Sequence, residues 1–113
     1  DNLTVFLVHL ALTFRARQHQ LTDLFDLVNG AEKPHIVAGD FNAFWGPREM
    51  GLFLAATRLK NANTRGQATF PSWKPTRELD FILHSPDIRI ERFWRPEVRF
   101  SDHLPLVCDF TTA

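Results

Sequence analysis

The order of the apolar segments constrains the fold of this chain more than any other feature. The first half alternates an apolar run, an amphipathic stretch, a second apolar run and a second amphipathic stretch, whereas the second half carries only strand-like runs. Such an order indicates strands that share a sheet, with helices packed across it. We therefore predict an α/β (α+β) fold, a mixed β-sheet with two helices on one face.

The separate segments carry the signals of their type. Residues 3–12 are typical of a strand buried on both faces. Residues 15–30 predict a helix with Arg and Gln on its solvent side and a stop at Gly30. Its apolar side would carry Leu21, Leu24, Phe25 and Val28. Pro47 fits the first turn of a second helix. The apolar face of that helix would carry Met50, Phe53 and Leu54. Further strands are predicted within residues 34–42, 78–85, 88–94 and 103–110.

A sheet has two faces, and two helices can cover only one of them. The predicted strands nevertheless carry enough inward apolar side chains to bind a second layer. These are Val5, Leu7, Ile36, Val37, Phe81 and Leu83. We therefore expect an open apolar face, covered by a second copy of the chain or by a missing N-terminal half.

Composition narrows the class of protein. The chain has 113 residues, enough for one domain, with 13 basic and 13 acidic side chains. This balance weakens the case for a nuclease that grips duplex DNA through many phosphates. Cys108 lacks a partner for an internal disulfide and is interpreted as a small buried hydrophobe. No run approaches the roughly 20 apolar residues of a membrane span. The chain begins without Met, so we expect a fragment or a processed chain.

Polar residues interrupt four of the predicted strands. They are His9, Asp40, Asn42, Asp80, Asp102 and His103. Each alone has an ordinary explanation, as a satisfied core histidine, a turn or capping pair, a structural acceptor or a turn opener. Four such interruptions together indicate a shared site instead.

The spacing of these residues suggests their chemistry. Asp40 and Asn42, two positions apart, point the same way from an extended strand end and can hold a water and a phosphoryl oxygen together. Asp102 and His103 reach one site only if the chain bends near Ser101. An active histidine usually has its second ring nitrogen held by a carboxylate. Asp80 is the candidate partner of His103.

The motifs "GDFN", "LDFIL" and "SDHLPL", preceded by "VHL", occur in the order of a known family. They resemble the C-terminal half of the endonuclease/exonuclease/phosphatase family, whose fold is that of DNase I-like nucleases. The resemblance covers essentially the whole chain, so residues 1–113 are interpreted as that half of the domain. It implies half of a four-layer α/β sandwich, with two sheets packed face to face between helices.

The resemblance also implies an activity, a Mg²⁺-dependent attack of water on a phosphate ester, with Mn²⁺ as an alternative ion. Asp40 would orient or deprotonate the water, and Asn42 would hold the phosphate. Asp102 would help bind the metal together with Asp40, directly or through water, and His103, positioned by Asp80, would donate to the scissile phosphate. His9 matches a second histidine on the phosphate side.

The same resemblance marks what this sequence lacks. The family's N-terminal half supplies an Asn and a metal-binding Glu, and neither motif occurs here. We therefore expect a cation to keep most of its waters and bind weakly. The substrate stays open between nucleic acid, a lipid headgroup and a small phosphoester. The alternative function is a non-catalytic interaction domain that retains the fold.

Overall fold

The structure, a computed structural model, describes residues 2–112. Six strands and two helices lie within this range. In chain order they are β1 (Thr4–His9), α1 (Phe14–Asn29), β2 (His35–Asp40), α2 (Pro47–Thr57), β3 (Lys60–Asn61), β4 (Asp80–His84), β5 (Arg89–Trp94) and β6 (Val107–Thr111). The mixed α/β fold with two helices is confirmed. The two-residue strand β3 is one that the sequence analysis does not predict.

The strands form two sheets rather than one. Four strands pair in the order β1-β2-β4-β3, with β1 parallel to β2 and the other pairs antiparallel. The antiparallel pair β5-β6 is a separate sheet with an irregularity between Ile90 and Arg92. The predicted last strand begins later than expected, at Val107, so Asp102 and His103 lie in bends ahead of it.

One face of the four-stranded sheet packs against the helices. Phe6, Val37 and Leu83 stand at one level across β1, β2 and β4, and Val8 and Phe81 stand at the next level. Val37 and Leu83 are fully buried in the core that these strands share with α1 and α2. Each side chain buried in this way contributes about 1.5–3 kcal/mol.

Gly39 lies in the middle of this second level and permits close contact between β1 and β2. Its φ is +141°, and a Cβ at this position would lie 2.0 Å from the carbonyl oxygen of Val8. A larger residue would push β1 away from β2 just before Asp40.

The opposite face is incomplete on the β1 side. Val5 is 52% exposed and Leu7 is 83% exposed, although Ile36, the neighbour of Val5 on β2, is buried. Burial of β1 on both faces was therefore a wrong prediction. The physical reason is position: β1 is an edge strand of the four-stranded sheet, with β2 as its neighbour on one side only.

The helices follow the predicted pattern with one exception. Gly30 caps α1, Pro47 starts α2, and the apolar side chains at the predicted spacing face the core. The exception is Arg17, predicted on the solvent side of α1 but fully buried in line with Leu21 and Leu24. None of the helices within residues 2–112 is long and apolar enough to cross a membrane.

Candidate active site

Three of the predicted site residues stand side by side at one end of the four-stranded sheet. His9 ends β1, Asp40 ends β2, and Asp80 begins β4, and these three are direct register partners. Partners across a sheet point to the same face. Alternation along the strands places this face opposite the helices. The strand register therefore brings together residues that lie 31 and 40 positions apart in the sequence.

His103 joins this row from the loop that precedes β6. Its Nδ1 lies 2.6 Å from Oδ2 of Asp80, a hydrogen-bond distance. Its Nε2 lies 3.8 Å from Oδ2 of Asp40. The prediction that Asp80 holds His103 is thus matched by the geometry, and the ring presents its second nitrogen toward Asp40.

Backbone contacts fix the loop that carries His103. The amide of Leu104 donates to the carbonyl of Thr69 at 2.8 Å, and the amide of Ser72 donates to the carbonyl of Asp102 at 2.8 Å. The ring of Phe70 lies 5.1 Å from the imidazole, between centroids. The segment 69–72 therefore serves as the support against which the bend at residues 101–103 is placed.

Thr69 is a site residue that the sequence analysis missed. It is fully buried, and its hydroxyl donates to Oδ2 of Asp80 at 2.7 Å. The same hydroxyl accepts from the amides of Leu79 and Asp80. Thr69 thus orients the carboxylate that in turn holds His103. A threonine within a Pro-broken segment gives no sequence signal for this contact, which spans 11 positions.

The two carboxylate oxygens of Asp40, at the end of β2, have different neighbours. Oδ1 accepts from the amide of Asn42 at 2.8 Å, whereas Oδ2 faces His103 and His9, each at 3.8 Å. Asn42 has a φ of +46°, and its side-chain nitrogen donates to the carbonyl of Leu10 at 2.6 Å. Asn42 therefore ties the ends of β1 and β2 together, and its role toward a phosphate stays a prediction.

His9 and Asp102 lie at the rim. The side chain of His9 is 79% exposed and contacts the site through its 3.8 Å approach to Asp40. Asp102 is exposed, and one carboxylate oxygen accepts from the hydroxyl of Ser101 at 3.3 Å. Among the described residues, Asp40, Asp80 and His103 form a group of potential metal ligands, and Asp102 is not part of it.

Electrostatics favour a proton on the Asp80–His103 pair. Burial raises the pKa of Asp80, against the lowering effect of the hydrogen bonds from His103 and Thr69. Burial lowers the pKa of His103, but the hydrogen bond to Asp80 and the charges of Asp80, Asp40 and Asp102 raise it above the ordinary value overall. Both shifts favour retention of a proton, and the net rise in the pKa of His103 favours its charged form.

A cation fits this donor set only as a hydrated ion. Ligand atoms of Asp40, Asp80 and His103 lie within 4.8 Å of one another. Oδ2 of Asp80, however, already accepts from both Thr69 and His103. Asp102 lies outside this group, and Mg²⁺ held by one or two carboxylates keeps several waters.

A cleft of about 370 Å³ opens at the row of polar residues. Asp40, Asp80 and His103 line one part of it, and Ile82 and Phe100 line another. This volume falls in the range of small-molecule sites. The cleft therefore gives the polar groups access to a ligand.

Comparison with known proteins identifies the family. The profile of the Endonuclease/Exonuclease/phosphatase family matches residues 3–103. The chain belongs to this family. Comparison with curated proteins finds no match.

Solved structures share the fold over nearly the whole chain. A functionally unknown conserved protein from Enterococcus faecalis is 23% identical, with a TM-score of 0.75 over 95% of this chain and 49% of its own. A mannosyl-6-phosphatase from Bacteroides thetaiotaomicron is 21% identical, with a TM-score of 0.71 over 95% of this chain and 50% of its own. The human Nocturnin catalytic domain, solved with bound sulfate, is 27% identical, with a TM-score of 0.63 over 93% of this chain and 45% of its own. The chain thus has the DNase I-like fold and spans about half the length of these structures.

Proposed function

We propose that this chain contributes half of the active site of a metal-dependent hydrolase of phosphate esters, in which water attacks phosphorus. The observation that carries the proposal is the row at the sheet edge, where Asp80 holds Nδ1 of His103 and Nε2 of that ring faces Asp40. A histidine donor and a carboxylate oxygen 3.8 Å apart in one cleft supply the two kinds of group that a displacement by water at phosphorus uses. Family membership supports the same reaction class.

Each residue has a defined task in this proposal. Oδ2 of Asp40, which accepts no short hydrogen bond within the described chain, orients the attacking water and takes its proton. His103, whose pKa is raised against the effect of burial by the hydrogen bond to Asp80 and by nearby carboxylates, donates from Nε2 to a phosphoryl oxygen. Asp80 and Thr69 keep the imidazole in place. His9 binds a phosphoryl oxygen from the rim.

The metal is Mg²⁺, with Mn²⁺ as an alternative, held by Asp102 and Asp40 with water in the remaining positions. When bound, it neutralises negative charge on the phosphoryl group. Asp102 is exposed and lies outside the group formed by Asp40, Asp80 and His103, so it would bind the ion through water. Two carboxylates make a weak site, which predicts half-saturation only at high metal concentration.

The substrate is proposed to be a phosphorylated ligand small enough for the cleft at Asp40 and His103. Two of the similar structures favour this choice, one named a mannosyl-6-phosphatase and one containing a sulfate anion. The balanced charge of the chain favours a small phosphoester or a lipid headgroup over duplex DNA.

We further propose that the open face beside β1 is covered in the working protein, either by an N-terminal half of the domain or by a second copy. Val5 and Leu7 expose apolar surface next to the site, which water disfavours by about 25 cal/mol per Å². The similar structures are about twice as long as this chain, which supports the first alternative.

The test is hydrolysis of bis-p-nitrophenyl phosphate and of p-nitrophenyl phosphate with added Mg²⁺. It uses residues 1–113 alone and the longest native polypeptide that contains them. Asp40→Asn and His103→Ala should each lower kcat about 10²–10⁴-fold. The matched controls Asp23→Asn and His19→Ala change exposed residues of α1 and should leave kcat unchanged.

The outcomes separate the two candidate functions. Equal activity in the site variants and in the controls would refute the assignment of Asp40 and His103. Absence of hydrolysis with either ester in the longer polypeptide, together with stable self-association of the chain, would favour the interaction domain. A faster reaction with the monoester would identify a phosphatase, and a faster reaction with the diester would identify a phosphodiesterase.

A further inference from the structure

A buried arginine lies behind the candidate site, on the other face of the sheet. Arg17 of α1 is fully buried, at a position where the helix otherwise presents Leu21, Leu24 and Val28. Its partner Glu49, near the start of α2, is itself largely buried. A buried ion pair costs desolvation energy, so its position needs a reason beyond packing.

The guanidinium of Arg17 donates hydrogen bonds from all three of its nitrogens. Nε donates to Oε2 of Glu49 at 3.1 Å, and Nη2 donates to Oε1 of the same carboxylate. Nη1 donates to the carbonyl of Ala11 at 2.9 Å and to the carbonyl of Phe41. Four hydrogen bonds therefore fix the group, and Glu49 fixes its orientation.

The two carbonyls belong to the two loops that carry site residues. Phe41 lies between Asp40 and Asn42, and Ala11 lies two residues after His9. The loops are also joined to each other, because the amide of Leu10 donates to the carbonyl of Asp40 at 2.9 Å and Asn42 donates to Leu10. Arg17 is the one side chain within residues 2–112 that donates to both loops.

We propose that Arg17, oriented by Glu49, is a positioning residue that sets the separation of the β1 and β2 exits and thereby places Asp40 relative to His9 and His103. This inference rests on the proposed hydrolase function. A misplacement of about 1 Å at a reacting group can cost about 100-fold in rate, so this contact acts on kcat without touching substrate.

The experiment separates positioning from stability. Arg17→Met combined with Glu49→Leu replaces the ion pair with apolar side chains of similar size, an exchange that buried pairs often tolerate. The variant should keep the thermal midpoint near that of the wild type, lower kcat about 10- to 100-fold and leave KM within about threefold. Arg15→Met, an exposed arginine of the same helix, is the matched control and should change neither quantity.

Amide hydrogen exchange gives a readout that does not depend on activity. In the double variant the amides of Leu10 and Asn42, which donate to Asp40, should exchange about tenfold faster or more. The amides of β5 and β6 should keep their wild-type rates. If the double variant does not fold, Glu49→Gln replaces it, because this change preserves the shape of the pair. The amides of Leu10 and Asn42 should then exchange faster than in the wild type, by a smaller factor.

The results decide the inference in either direction. Unchanged kcat with unchanged exchange at Leu10 and Asn42 would overturn it, and so would uniformly faster exchange over the whole chain, because that pattern marks a purely structural residue. If the wild-type protein hydrolyses neither ester, the proposed function fails, and local exchange alone then shows whether Arg17 holds the two loops.

Discussion

The two faces of the four-stranded sheet differ in how they are completed. The face toward α1 and α2 is closed, with Val37 and Leu83 fully buried. The opposite face carries the polar row at one end and exposed apolar side chains beside it, with Leu7 at 83% exposure. The same strands thus form a closed hydrophobic core on one face and a partly exposed surface on the other. The closed face stabilises the chain, and the exposed face carries the proposed active site.

The two faces are nevertheless coupled through the backbone of β2. Gly39 lets β1 approach β2 on the core side, and Asp40 immediately after it points to the other side. Arg17 reaches Phe41, one residue further, from the core side. A substitution in the core near residues 39–41 should therefore displace the site residues, whereas a substitution near Leu7 should leave the packing of the core unchanged.

The largest expected effect is on the free energy of unfolding, when a leucine on each face of the sheet is replaced by alanine. Leu83→Ala removes a fully buried side chain from the closed face and should lower the free energy of unfolding by about 2–5 kcal/mol. Leu7→Ala, on the open face of the same sheet, should change it by less than about 0.5 kcal/mol in the monomer. Urea denaturation at low protein concentration measures both. Equal losses would mean that the open face is covered in solution and that the comparison is wrong.

The sequence predicts the parts of this asymmetry that depend on local spacing, but not the parts that depend on contacts between residues far apart in the chain. The core side of α1 follows from local spacing, because Leu21, Leu24 and Val28 recur at helical intervals. Arg17 continues the same spacing, but a cation at an apolar position is interpreted as solvent-facing unless its buried partner is known. That partner, Glu49, lies 32 residues away, at a distance that no local pattern encodes.

The candidate site divides in the same way. The residue types and the interruption of apolar strands mark Asp40, Asp80 and His103, and the carboxylate partner of His103 follows from the chemistry of histidine. The bend expected near Ser101 is present, but the last strand begins at Val107 and not at His103, because residues 101–103 bend and rest on the segment 69–72. Thr69 could not be predicted, since its role depends on that tertiary contact.

The second prediction concerns Thr69, which links the closed interior to the open site. Thr69→Val keeps the shape but removes the hydroxyl, leaving the half-buried carboxylate of Asp80 with one donor fewer. The cost should be about 1–3 kcal/mol in unfolding free energy. A fall in kcat should accompany it, because His103 loses its support. Thr111→Val removes an exposed hydroxyl contact to Glu91 and is the matched control. Identical behaviour of the two variants would refute the positioning role of Thr69.

The third prediction tests what covers the open face. Residues 1–113 should self-associate at high concentration through the surface at Val5 and Leu7. Leu7→Glu places a charge in that surface and should weaken association about tenfold or more, without a change in the free energy of unfolding of the monomer. Sedimentation equilibrium measures the association constant, and Leu27→Glu, an exposed leucine of α1, is the control. A wild-type chain that stays monomeric at high concentration would show that the open face tolerates water.

The smallest expected effect lies outside both faces, in the β5-β6 pair. Burial, together with the charge of Asp109, raises the pKa of the Cys108 thiol above its ordinary value. At pH 8 the folded chain should therefore hold less thiolate than the unfolded chain, and its alkylation by iodoacetamide should be slower. The sign fixes the pH profile: the rise in rate should occur at higher pH in the folded chain than in the urea-unfolded chain. Asp109→Asn removes the second cause, so it should move that rise part of the way back, while Asp87→Asn, a surface change elsewhere, should not. Rates that match the unfolded chain would mean that β6 opens faster than alkylation, and the two-stranded pair would then be less stable than the closed face of the main sheet.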